Sequence, residues 1–192
     1  MLYRVRMLAA ALRPIAVLAA AVVLAALSGC VQTTEKPTPT PTAAATPAFA
    51  SDEEALGAAE KAYAAYLAVD DAVLHDGGLN ADRYEAVASG EALKASISNA
   101  EKFQAESVRT TGASSFRTEK LQATQFLGDG VTSVAVYVCD DVSGVDLLDS
   151  TGRSLVSPNR KPVAPFVITM ERQNRTDRIS QRELWTTENF CS

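Results

Sequence analysis

The hydrophobic period of this chain changes once, near Ser107, and no other feature limits its fold as much. Upstream, apolar residues return every three to four positions. In "SDEEALGAAEKAYAAYLAVDDAVLHDGG", starting at Ser51, the positions Leu56, Ala59, Tyr63, Tyr66, Leu67, Val73 and Leu74 form one helical face. Ser51 stands at the N-cap with Glu54 in the capping-box position, and Gly77-Gly78 supplies the stop. Asn80 is placed to cap a short second helix, Ala81 to Ala88. Ser89 is placed to cap a third that runs to about Ala105, with Leu93, Ile97, Ala100 and Phe103 on one face.

Downstream the period becomes two. "SSFRTEKLQATQF" and "VTSVAVYVCDDV" read as strands joined by the tight turn "GDG", Gly128 to Gly130. Val134, Val136 and Val138 share one face of the second strand; Ala135, Tyr137 and Cys139 share the other. Gly144 to Pro162 is a longer excursion with a small hairpin expected around Thr151-Gly152. Val163 to Arg172 and "RISQRELWTTE" then pair across the turn "NRTD", with Pro162 and Pro165 fitting a strand start or a bulge. Strict alternation in the last strand puts Ile179 and Trp185 on one face with Gln181 and Glu183 between them, the pattern of an open mouth or a solvated edge. Helices followed by an antiparallel meander make an α+β layer pair, with the helices covering one sheet face.

The first thirty residues set a location. Arg4, Arg6 and Arg13 precede thirteen unbroken apolar residues, Ile15 to Leu27. That run spans about 20 Å as a helix, short of the roughly 30 Å bilayer core, and the layout is that of a signal peptide. "LSGC", Leu27 to Cys30, resembles the lipobox of bacterial lipoproteins. The resemblance implies cleavage after Gly29 and a diacylglycerol on Cys30, which would be the protein's contact with the membrane. Two acyl chains meet the requirement for firm attachment that one chain does not. An uncleaved anchor helix is the alternative. Residues 1–29 are thus expected to be leader, 30–50 a Thr/Pro-rich tether with Pro37, Pro39, Pro41, Pro47 and six threonines, and 51–192 one domain.

Loss of the leader would remove three of the 18 basic residues and none of the 23 acidic ones, leaving 15 against 23 and a net charge of −8. With no basic stripe beyond "NRK" at Asn159 to Lys161, the chain lacks the electrostatics of a nucleic-acid binder.

Three helices before a curved meander resemble the NTF2-like, cystatin-like roll. "AYAAYLAVDDAV", "TTGASSF" and "VAVYVCDDVSGVDLLDSTGRSLV" resemble, more narrowly, small actinobacterial lipoproteins of that fold. There a Tyr-bearing helix opens the domain, and a Cys-x-Asp-x-Ser stretch (here Cys139, Asp141, Ser143) leads to an aspartate-rich hairpin (Asp146, Asp149). The resemblance implies a cone whose mouth can hold a ligand or, in enzymes of the fold, an Asp/His or Tyr/Asp set. Tyr63, Tyr66, Tyr84, Phe103, Tyr137 and Trp185 are the candidate cavity lining.

Cys139 lies near the end of a central strand and Cys191 just beyond the last one, at the same side of a meander. In an exported protein these two form a disulfide, or stay as two thiols. His75, the single histidine, suits the C-terminal end of its helix dipole; a dyad with Asp71 or Asp76 is the sharper alternative. No nucleotide, cofactor or metal motif is present: GxGxxG, P-loop, HExxH and GxSxG are all missing. The expected function is therefore a non-catalytic, membrane-tethered envelope lipoprotein that binds a small ligand or an envelope protein. One alternative is an isomerase- or hydratase-like enzyme using Asp70 and Tyr66. The other is a module that pairs with a second copy through Val134, Val136 and Val138 or Tyr137.

Overall fold

A computed structural model describes residues 47–187 and 189–191. Cys30, the leader and most of the tether lie outside the described residues.

Helix α1 (Asp52–His75) begins where Ser51, in extended backbone, accepts from the Glu54 amide at 3.3 Å. The Glu54 carboxylate returns to the Ala50 amide at 2.6 Å, one residue earlier than in the standard capping box. The helix stops where Gly77 turns left-handed and the Gly78 amide reaches back to the Val73 carbonyl at 2.9 Å. Gly78 also lets α1 meet α2: a Cβ there would sit 2.0 Å from the Ala100 carbonyl oxygen.

A 3-10 helix (Ala81–Ala86) and α2 (Gly90–Glu106) complete the helical layer. The middle segment departs from expectation. Asn80 takes a left-handed conformation, φ 55°, and its side chain caps nothing; the helix ends at Ala86 rather than Ala88. Tertiary pairing sets the early end, because the chain bridges to the last strand through Ser89 N–H to Ile179 O and Ile179 N–H to Val87 O, both 2.9 Å. Ser89 does precede α2, but its hydroxyl makes no cap bond.

The strands are β1 (Arg109–Thr111), β2 (Ser115–Gly128), β3 (Val131–Asp141), β4 (Asp146–Leu148), β5 (Val163–Gln173) and β6 (Thr176–Leu184). The main sheet runs β2-β3-β5-β6, antiparallel throughout, and β1 pairs with β4 beside it. Hairpins close at "GDG" and at Asn174-Arg175, where both central residues have positive φ. Asp149 holds the small hairpin by accepting from Thr151 and Arg153, and those bonds, the Thr151 hydroxyl first, lower its carboxyl to about 2. The "NRK" arginine, Arg160, donates to the Val142 and Val145 carbonyls at 2.8 and 2.9 Å and so fastens the excursion to the end of β3.

One face of the sheet meets the helices. Val134, Val136, Val138, Ile168, Met170 and Ile179 are buried beneath Ala55, Ala59, Tyr63, Tyr66 and Tyr84. Each of the buried Val, Ile and Met side chains contributes roughly 1.5–3 kcal/mol relative to exposure. The architecture is α+β, three helices packed on a multi-stranded antiparallel sheet, consistent with an NTF2-like, cystatin-like roll. Because the valine face of β3 is spent on this core, Val134, Val136 and Val138 are not a surface for a second copy. Phe49 is also buried, under the Arg172 guanidinium 4.1 Å from its ring centroid, so packing takes in a residue assigned to the tether.

Strict alternation fails in β6. Met170 pairs with Ile179 but Thr169 pairs with Gln181, leaving Ser180 as an extra residue. The bulge inverts the facing of everything after it. Ile179 points inward, Arg182 points inward opposite Ile168, and Trp185 ends on the outer face, not on the face of Ile179.

Candidate functional site

Between the helices and the sheet lies a polar network of buried side chains. Tyr63 donates its hydroxyl to Asp140 Oδ2 at 2.6 Å. Arg182 Nε donates to the Tyr63 oxygen at 2.9 Å and Nη2 to the same Asp140 oxygen, while the guanidinium lies 3.8 Å from the Phe166 ring centroid. Phe116 meets Tyr63 edge-on. Asp140 is 3% exposed, and its Oδ1 has no partner. Tyr66 shares a hydrogen bond with Ser96 at 2.8 Å, and Tyr84 donates to Asp70 Oδ1 at 2.6 Å.

Burial sets the charge states. It pushes the Tyr63 hydroxyl well up, against the pull of Arg182, and raises Tyr66 and Tyr84, with the Asp70 charge adding to both. Burial also raises the Asp70 carboxyl, partly offset by the Tyr84 hydrogen bond. For Arg182 burial works against the charge, but Tyr63 and Asp140 outweigh it, so the proton is held more tightly than usual. The network is three neutral phenols, one fixed cation and its buried carboxylate counter-ion.

Of the six candidate lining residues, Tyr63, Tyr66 and Tyr84 face this interior. Phe103 does not: it lines an external groove of about 620 Å³ with His75, Leu79, Val108, Arg109 and Asp149. Tyr137 and Trp185 lie on the outer sheet face. Asp70 is inside, but it bonds Tyr84 rather than Tyr66. His75 is the last residue of α1; Asp71 is engaged by the Ser114 amide and hydroxyl, and Asp76 by Arg83 at 2.7 Å. Neither carboxylate orients the imidazole. Among the described residues no group of three His, Cys, Asp or Glu stands close enough to hold a metal ion.

Sequence reasoning missed Arg182 and Asp140. Asp140 carried a signal, since the alternation Val134, Val136, Val138 continues to it. Arg182 carried none, because the bulge that turns it inward has no sequence mark.

The outer face holds a second constellation. Cys139 and Cys191 are bridged, with Cα atoms 5.5 Å apart. The bridge draws the tail back over the sheet and sets Phe190 beside Tyr137. Tyr137 meets Trp185 and Phe190 edge-on, with centroids 5.3 and 5.4 Å away. Glu119 and Lys120 of β2 join these rings around a pocket of about 320 Å³. A register shift between Thr118 and Lys120 leaves Glu119 as the extra residue there.

No family model matches the chain, and no curated protein does. Among solved structures it is similar to the intermembrane space region of chloroplast protein ARC6 at 12% identity, covering 67% of this chain and 95% of that one, TM-score 0.45. It is similar to a periplasmic fragment of TraM at 20% identity, 72% and 100% coverage, TM-score 0.42. It is also similar to a protein with a cystatin-like fold from Caulobacter vibrioides at 10% identity, 70% and 92% coverage, TM-score 0.34.

Proposed function

We propose that this is a non-catalytic binding domain of a cell-envelope lipoprotein, held to the outer side of the membrane by a diacylglycerol on Cys30. The observation that favours binding outside the roll is the packed interior between helices and sheet. Tyr63 and Tyr84 are fully buried, Tyr66 nearly so, and each hydroxyl already has a partner, so ligand recognition falls to the outside of the roll. Export is supported by the Cys139–Cys191 bridge, a bond that persists in oxidising compartments, together with the leader and "LSGC".

The test is fractionation in a bacterial host that processes lipoproteins. The wild-type chain fractionates with membranes and incorporates labelled palmitate; Cys30→Ala does neither. Membrane association of Cys30→Ala equal to wild type would refute the tether. The enzyme reading rests on one observation, the buried Asp70 carboxyl with its raised proton affinity. Tyr84 occupies that carboxyl, and Tyr66 is turned to Ser96. A turnover abolished by Asp70→Asn would overturn the non-catalytic assignment.

A further inference from the structure

We infer that the pocket on the outer sheet face takes a small organic cation of the trimethylammonium class, with Tyr137, Trp185 and Phe190 as three walls of an aromatic cage. The inference gives a location and a ligand chemistry to the binding reading above and rests on it.

The rings do not stack: the planes of Trp185 and Phe190 stand at 89° and 86° to Tyr137, each in edge-to-face contact with it. All three line the same pocket of about 320 Å³, at the small end of the range for ligand sites. Ring faces carry negative potential and attract a cation, and the Tyr137 face is the one shown to do so here.

A cation is already there. The Lys120 ammonium lies 5.2 Å from the Tyr137 centroid, so this ring face draws positive charge even from a side chain that is itself exposed. A primary ammonium is strongly hydrated and holds the position weakly. A trimethylammonium group has no N–H to keep in water and presents methyl groups to the rings, so it displaces Lys120. Glu119 supplies a carboxylate at the rim, paired with Arg117 at 2.7 Å.

The walls are built before any ligand arrives. Tyr137 projects from β3, which is paired on both sides. Phe190 is fixed by the neighbouring Cys191 bridge, and the Trp185 amide donates to the Pro165 carbonyl at 2.9 Å. Preorganised walls lower the ordering cost of binding.

Trp185 is the one tryptophan in the chain, so its emission reads this pocket alone. The experiment titrates the full chain in maltoside micelles with choline, glycine betaine and glycerophosphocholine, and with 3,3-dimethyl-1-butanol, the uncharged analogue of choline. A saturable change with the three trimethylammonium compounds and none with the alcohol is expected. The tighter of betaine and glycerophosphocholine tells a free solute from a lipid headgroup. Tyr137→Leu weakens binding about tenfold, between the fold-changes of an exposed and a fully desolvated cation–π contact, since Tyr137 is half-buried. Phe190→Ala, at an edge position, weakens it in the same direction, and Lys120→Gln strengthens it by removing the internal competitor. An equal response to the alcohol would overturn the cation chemistry. So would the lack of any saturable response in both wild type and Lys120→Gln. In either case a ligand that raises the thermal midpoint without moving Trp185 emission would leave the binding reading standing, whereas no such ligand would remove both.

Discussion

Replacing Arg182 by methionine should cost more stability than any change to its partner, and the exposures say why. The side chain of Asp140 is 4% exposed and that of Arg182 is 29% exposed. Without Arg182, the Asp140 carboxylate keeps a single bond, from Tyr63, and has no route to water. Its Oδ1 is unpartnered even in the intact network. Without Asp140, the guanidinium still has Tyr63 and the Phe166 face and can swing toward solvent. Breaking a buried pair from the side that strands the charge costs about 3–5 kcal/mol, so Arg182→Met is placed at about 3 and Asp140→Leu at about 1–2. For a domain of this size 1 kcal/mol moves the midpoint by about 3–4 °C, which puts Arg182→Met about 10 °C below wild type. The double variant should recover most of the loss, since apolar replacement of both partners is often neutral. Urea unfolding of the four proteins at pH 7 makes the comparison as a double-mutant cycle. The reasoning fails if Asp140→Leu is the more damaging single change, or if the double variant is as unstable as the sum of the singles.

Two further outcomes follow from the same geometry. Asp70 has a folded-state proton affinity raised by burial, so the stability it contributes is fully present below the unfolded carboxylate range and is lost as pH rises through the higher folded value. Asp70→Asn should therefore be more stable than wild type at pH 7, with the difference shrinking toward pH 3.5, and a Tm series across that range checks it. Opening the Cys139–Cys191 bridge by Cys139→Ser should cost on the order of 4 kcal/mol for a sequence separation of 52, read as a lower urea midpoint; an unchanged midpoint would mean the bridge closes a loop already ordered in the unfolded chain.

The layer order was legible because period is local. The stripe through Tyr63, Tyr66 and Leu67 and the alternation through Val134, Val136 and Val138 each need only a short window to be seen, and their burial agrees with it. Cys139 and Cys191 were legible through topology, since a meander brings alternate strand ends to one side. The site was less so. Which aromatics enter the cone depends on strand facing, and in β6 that facing is reset by one unpaired residue. Trp185 changed sides, and Arg182 entered the core as a charge no hydropathy pattern would place there. The short helix shows the same limit at its end: it stops at Ala86, where Val87 and Ser89 bridge to Ile179, a residue about ninety positions away.

Ser180 gives the strand a memory of its length. Upstream of it β6 offers isoleucine to the helices; downstream it offers arginine, and the same stroke delivers tryptophan to the opposite surface. Were Ser180 drawn into the ladder as a paired residue, Gln181 and Glu183 would turn inward in place of Arg182, Asp140 would be stranded and the third wall pulled from the aromatic pocket. Two sites on opposite sides of the sheet are thereby slaved to a single count of residues, and relatives that keep one should be found to keep the other.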